Sequence, residues 1–362
     1  MSPILVRYGT MLGCLWQCGI LKRRGRPPSL LASIELFMPL HHYVPQFYLK
    51  YFSIASKPGL VWVYRRDNNQ PRETNVNRIS AVHGFYQVTL VGSGERSEQI
   101  EKMFSKIEGD AKPVFDRLIQ EKGRISVSEH DYSILSVYMA FQCLRGPSSR
   151  ARMHNFEKAK VEEEIKEIAR DTDRLKAAIE EAGLVGEREV DLESIRTLLL
   201  DVDRNFVLER KRGEEGQLIS FMVEWARDLC QLIYNKRWSL YESDGGGPFL
   251  TSDNPVTLMQ PANLSREHIA GFVTGVVALP VCPMRSLLLE PGRRTANLEV
   301  VPVVGSRVRQ INGSTMLGAH REVYSNISSK KVVKAFGRTK DGAAEELLSA
   351  TDLPGATHAI DR

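Results

Sequence analysis

Helical and extended periodicities occupy separate stretches of this chain, and that segregation restricts its fold more than any other feature. From Ser97, a plausible N-cap, apolar residues recur at helical spacing: Ile100, Met103, Phe104, Ile107, Ala111, Val114, Phe115 and Leu118. Pro113 inside this stripe predicts a kink or a split. A second helix is predicted from a capping box of Ser126 with Glu129, running until Gly146-Pro147 stops it. The segment from His154 to Ile233 turns rich in Glu, Lys, Arg and Leu, with a charged helix over 157–182 and further helices over 192–210 and 218–234. Such a charge run reads first as a solvated helical face.

Extended character lies elsewhere. Leu60 to Tyr64 and Phe85 to Val91 read as strands before the helices, the first ended by a polar turn at 66–69. Trp238 to Glu242, Phe249 to Ser252, Val273 to Val281, Ser286 to Glu290 and Val300 to Val304 follow them, with Gly245-Gly246-Gly247, Asn254-Pro255 and Pro291-Gly292 as turn punctuation. Arg307 to Tyr324 reads as a last helix, interrupted at Asn312-Gly313-Ser314. Strands and helices that cluster rather than alternate predict an α+β fold. The sheet is expected to be mixed or antiparallel, with several packed helices and a charged helical insertion at about 154–235. Residues 38–330 form one expected domain, and 331–362 a weakly ordered tail. Residues 1–37 read as a disordered leader or a misassigned start, with Met38 as the natural beginning.

The net charge of +5 permits an anionic partner without demanding one. Cys14, Cys18, Cys143, Cys230 and Cys282 are odd in number and scattered, which fits a reducing cytoplasm better than a disulfide framework. No apolar stretch is long enough to predict an integral membrane segment. Phosphate-loop, dinucleotide-fingerprint and nucleophile-elbow motifs are all missing.

Chemistry-bearing residues gather in short motifs. His41 and His42 can exchange a proton near neutral pH or bind a metal, and in an extended segment only one of the pair faces a given side. Gln142 and Arg145, three apart, share a helix face, and Arg145 with Arg150 flanks the turn; arginine forks suit carboxylate or phosphate oxygens. Their structural role would be to bind helix-end carbonyls or a core carboxylate. Asp253 and Asn254 precede Pro255 in a polar turn, where Asp253 serves as turn former, metal ligand, general base or orienter of a histidine. Asn312, Arg321 and Tyr324 form a fourth, weaker group.

His41-His42-Tyr43-Val44-Pro45-Gln46-Phe47-Tyr48-Leu49, the segment 141–150 and Thr251-Ser252-Asp253-Asn254-Pro255 together resemble a mainly bacterial family, domain of unknown function 4238. The resemblance runs from about Met38 to about Ser328 and suggests reading the motifs as one site. On that reading the chain is expected to be a phosphodiester- or phosphate-processing, nuclease-like hydrolase. His41, His42 and Asp253 would be catalytic, and Gln142, Arg145, Arg150 and Asn254 would hold substrate. This leaves room for a divalent metal and for nucleic acid or another phosphorylated ligand. The alternative is a non-enzymatic binding or interaction protein whose motif residues form a structural polar network; its protein partner is not identified by the sequence.

Overall fold

A computed structural model of the chain describes residues 4–8, 40–83, 85, 88–89, 96–97, 99–123, 125–181, 191–210, 215–259, 271–295 and 297–339. Most of 1–37, most of the strand expected at 85–91 and the tail from 340 onward lie outside the described residues. The chain divides into two compact bodies, one of residues 37–86, 98–150 and 220–362, the other of 1–36, 87–97 and 151–219. The expected insertion therefore loses 220–235 to the larger body.

The larger body is α+β and carries all the motif residues. Its five-stranded sheet runs Thr257–Met259, Val276–Cys282, Arg285–Glu290, Arg237–Ser243, Glu299–Val303. All neighbours pair antiparallel except the last two strands, which are parallel. Every residue of Val276–Cys282 is buried, because both faces of the sheet are covered. On one face, Phe249, Met259, Ala278, Leu288 and Val303 pack with Val308 and Ile311 of the helix Gly305–Gly318. On the other, Trp238 meets the Tyr132 ring edge-on at 5.3 Å. There too the buried Arg285 donates to the carbonyls of Leu118 and Glu121 at the end of the helix Gln99–Gln120. Gly246 allows the close approach of loop and helix: a Cβ there would lie 2.8 Å from Gly305 Cα.

A four-stranded antiparallel sheet runs Thr251–Ser252, Glu322–Ser325, Leu60–Arg65, Asn68–Asn75. The expected polar turn at 66–69 is narrower than predicted. Arg66 and Asp67 close a hairpin, and the polar run after them becomes a mostly exposed edge strand. Polar side chains suit that position, since charge and Pro71 discourage further strand pairing. On one face Tyr64, Leu250, Met316, Val323 and Phe336 form a second core. Phe336 belongs to the helix Lys330–Phe336, capped by Ser329, so the chain is folded here where a weakly ordered tail was expected.

Several local expectations shift for identifiable reasons. The helix Gln99–Gln120 runs unbroken through Pro113. Pro113 is exposed, so the carbonyl it frees faces water. The capping box forms two residues later than expected, from Ser128 with Asp131, and opens Glu129–Leu144. Asn312 does not break its helix either. Its side chain donates to Pro248 O and accepts from Leu250 N, both at 2.9 Å, instead of competing for its own backbone.

In the smaller body, Ile4–Tyr8 pairs in parallel with Phe206–Arg210, where a continuing helix was expected. Val88–Thr89 pairs with Arg96–Ser97. The helix Pro147–Arg170 continues into this body, followed by Thr172–Glu181, Leu192–Leu200 and Val202–Asn205. Met153, Ala169, Leu175, Ile179 and Val202 are buried. Solvated pairs such as Lys158–Glu162 and Arg170–Glu163 lie on the outside.

Replacing Phe336 with Ala should destabilise the larger body by about 3–5 kcal/mol, the usual cost of emptying a buried aromatic site. Urea unfolding followed by tryptophan fluorescence reads this, and an unchanged midpoint would return the helix to the status of a dispensable tail.

Candidate functional site

The strand Leu40–His42 pairs with Ala81–His83 and separates the two histidines by its alternation. His41 is buried, with Nε2 3.5 Å from Glu101 Oε1. His42 is half-buried, and its Nε2 lies 3.2 Å from the carbonyl of Asn77. A proton on Nε2 satisfies that contact and leaves the lone pair on Nδ1, near the Gln46 amide at 3.4 Å. Burial lowers the pKa of His42, which keeps the ring neutral near neutral pH. Pro45 then fixes the start of the short helix Gln46–Lys50.

Between these histidines and the helix lies Tyr43. Its carbonyl oxygen accepts from Gln142 Nε2 at 2.9 Å and from Arg145 Nε at 2.7 Å. Arg145 also donates to Glu108 at 2.9 Å, and its guanidinium covers the Phe104 ring at 5.1 Å. Arg150 donates to the carbonyl of Phe85 and stacks over the same residue's ring. Of the residues expected to hold an anionic substrate, Gln142, Arg145 through Nε, and Arg150 thus direct donors at main-chain carbonyls, and Arg145 Nη1 serves Glu108.

Asp253 is fully buried behind the strand Thr251–Ser252. One oxygen accepts from the amide of His320 at 2.8 Å, the other from the amides of Arg321 at 2.7 Å and Glu322 at 3.0 Å. Asn254 donates to Gly318 O at 2.9 Å, and Arg66 donates to the carbonyls of Met316, Ala319 and His320. Here is the reason the helix Gly305–Gly318 ends where it does and a strand begins at Glu322, where the sequence predicts helix to Tyr324. Its continuing amides and carbonyls are claimed by side chains distant in sequence. Burial raises the Asp253 pKa to about 7, against the lowering pull of the three amides.

A hydrogen-bonded chain joins this group to Tyr43. Glu322 accepts from Arg65 at 2.7 Å and from the Tyr324 hydroxyl at 3.0 Å. That hydroxyl meets Ser80 Oγ at 2.7 Å, and Ser80 O accepts from the Tyr43 amide at 2.9 Å. Ser80 has φ +49°, unusual for a residue with a side chain. Burial, then the charges of Asp253 and Glu322, raise the pKa of the Tyr43 hydroxyl.

The motif residues therefore form two groups that meet at Tyr43: His42, Gln142, Arg145 and Glu108 on one side, Asp253, Asn254 and Glu322 on the other. Arg150 is bound to Phe85. Both oxygens of Asp253 serve amides in place of a histidine ring. Arg321 contributes an amide, Asn312 braces 248–250, and Tyr324 joins the hydroxyl chain. Sequence reasoning missed Glu101 as a site residue, although its seven-residue spacing from Glu108 marks one helix face. It also missed Ser80 and Glu322, which only the tertiary fold brings in. Among the described residues no group of three or more His, Cys, Asp or Glu side chains is placed to hold a metal ion. No helix among them is long and apolar enough to cross a membrane.

A family model described as "Protein of unknown function (DUF4238)" matches residues 40–329. No curated protein and no solved structure matches the chain.

The ordinary pKa of Asp253 is 3.8 and the folded value is about 7, so the folded state favours the protonated form. Its contribution is full below about pH 4 and declines as pH rises through about 7. Asp253→Asn should flatten that decline and cost about 1–3 kcal/mol for each amide it strands. Urea melts at pH 5 and pH 8 measure both effects; an unchanged pH slope in the variant would assign the decline to other groups.

Proposed function

The chain belongs to the DUF4238 family, and on that premise we propose that it is a non-enzymatic binding protein whose motif residues frame the fold. One observation carries this reading. Gln142, Arg145, Arg150, Asp253 and Asn254 all bond to main-chain groups of distant segments. An anion clamp needs guanidinium N–H groups turned toward a ligand. Arg145 is buried and commits Nε to Tyr43 and Nη1 to Glu108. Hydrogen bonds from buried side chains to the main chain rigidify a fold without any chemistry. We place the protein in a reducing cytoplasm, which the free thiols of Cys230 and Cys282 support.

A second reading retains hydrolysis of a nucleic acid or another phosphorylated ligand. It is favoured by His42, whose neutral ring presents the Nδ1 lone pair and suits a general base. Glu108 and Gln46 would be its partners in place of Asp253 and the arginines.

Assays on DNA, RNA and p-nitrophenyl phosphate, with and without Mg²⁺ or Mn²⁺, separate the two. The binding reading expects no turnover above the no-protein control for wild type, His41→Ala or His42→Ala. Turnover in the wild type that is lost in a folded His42→Ala variant would overturn it in favour of the second reading.

A further inference from the structure

The helix Lys330–Phe336 is apolar on one side and cationic on the other. Phe336 is buried, and Val332 and Val333 pack with it against the core of the four-stranded sheet. Lys330, Lys331 and Lys334 are exposed. At 3.6 residues per turn these three fall within an arc of about 100°, opposite the apolar side chains. Gly337 keeps helical dihedrals, and Arg338 N donates to Ala335 O at 3.2 Å, so the turn continues. The exposed Arg338 then adds a fourth positive charge.

No carboxylate offsets these charges. None occurs in the sequence from Ser325 to Thr339. Among the described residues, none of the four cationic side chains has a hydrogen bond or an ion pair. Glu73 lies opposite Trp62 on the strands against which the helix packs, and it is already held by Lys57 at 2.8 and 2.7 Å. Nor does the arrangement serve the helix itself. Lys330 and Lys334 are like charges four residues apart, a spacing at which they repel. Lys330 and Lys331 also occupy the first turn, where the helix dipole favours anions. The chain as a whole carries a net charge of +5, so this cationic face is a local feature.

We propose that this face binds the phosphodiester backbone of a nucleic-acid duplex without regard to sequence. Lysine is a point charge suited to phosphate, and a duplex backbone is a dense, continuous row of phosphates. Besides the cations, the exposed residues of 330–338 are Ala335 and Gly337, neither of which reads a base edge, so the contacts position without specifying. A helix that lies on a bilayer sinks its apolar side among the acyl chains. Here that side is occupied by the core, which favours a nucleic acid over a membrane. This assignment rests on the binding reading and gives it a partner class.

Fluorescence anisotropy of short labelled DNA and RNA duplexes of random sequence, titrated with the full chain from about 50 to 200 mM KCl, tests it. Wild type should bind, with log K falling against log salt at a slope of about −3 to −4 on DNA, roughly 0.9 for each phosphate contacted. Changing Lys330, Lys331, Lys334 and Arg338 together to Gln should leave the urea midpoint in place and weaken binding at least tenfold. The double variant Lys330→Gln/Lys334→Gln should lose about half of the slope, and it keeps the test decisive if the quadruple one is unstable. A charge-matched control, with the exposed Lys106, Lys122, Arg227 and Arg293 changed to Gln, should keep most of the affinity. Binding of either duplex that depends on the face supports the assignment, and the two arms tell DNA from RNA. Binding of neither duplex, undiminished binding by the helix variants, or an equal loss in the control would each overturn it. So would sedimentation with phosphatidylserine vesicles that needs the four cations while the duplexes stay unbound. Cleavage of the labelled duplex that is lost in His42→Ala, read on a denaturing gel, would overturn the binding reading instead, through a different residue and readout.

Discussion

One carbonyl oxygen, that of Tyr43, holds the motif region together. It accepts from Gln142 and from the charged Arg145, while the amide of the same residue donates to Ser80. A carbonyl has two lone pairs, and this one fills both with side-chain donors from a single helix end; with the amide bonded to Ser80, three segments meet at one residue. The helix Glu129–Leu144, the histidine strand and the loop carrying Ser80 are all placed by this residue. Because a bond to a charged donor is stronger than a neutral one, Arg145 contributes most when it is shielded, and it is buried beneath Phe104 and beside Glu108.

Arginine repeats this part elsewhere in the same body. Arg66 binds the last carbonyls of the helix ending at Gly318, and Arg285 binds those of the helix ending at Gln120. A guanidinium has five donors in a planar fork and suits the crowded carbonyls where a helix stops. An arginine near a helix end in this chain thus signals termination of a helix at least as readily as recognition of phosphate.

The elements legible in the sequence are those whose own apolar pattern specifies them. Leu60–Arg65, Arg285–Glu290 and the helix Gln99–Gln120 are of this kind, and the segregation of strands from helices carried the fold class. What stayed hidden depended on distant partners. The strand Asn68–Asn75 has almost no apolar residues and exists because a hairpin lays it on its neighbour. The stop at Gly318 needs Asp253, Asn254 and Arg66. The site was half visible in the same way. Three-residue spacing pairs Gln142 with Arg145, and alternation separates His41 from His42, but nothing local says that the first pair shares a backbone oxygen. Ser80, far from any motif, could not be found from spacing at all, and Glu322, beside Arg321, has nothing local to mark it as a partner of Tyr324 and Arg65.

The carboxylate of Asp253 also bears on the order in which the chain assembles. Its three amide partners lie 67 to 69 residues downstream, and they become available only once the intervening strands have turned back. Closing so long a loop costs entropy before any bond repays it, which places this contact among the slow, non-local steps of folding. In the folded chain the burial of this one side chain and the extended course of 320–322 are tied together, because the same three amides serve both.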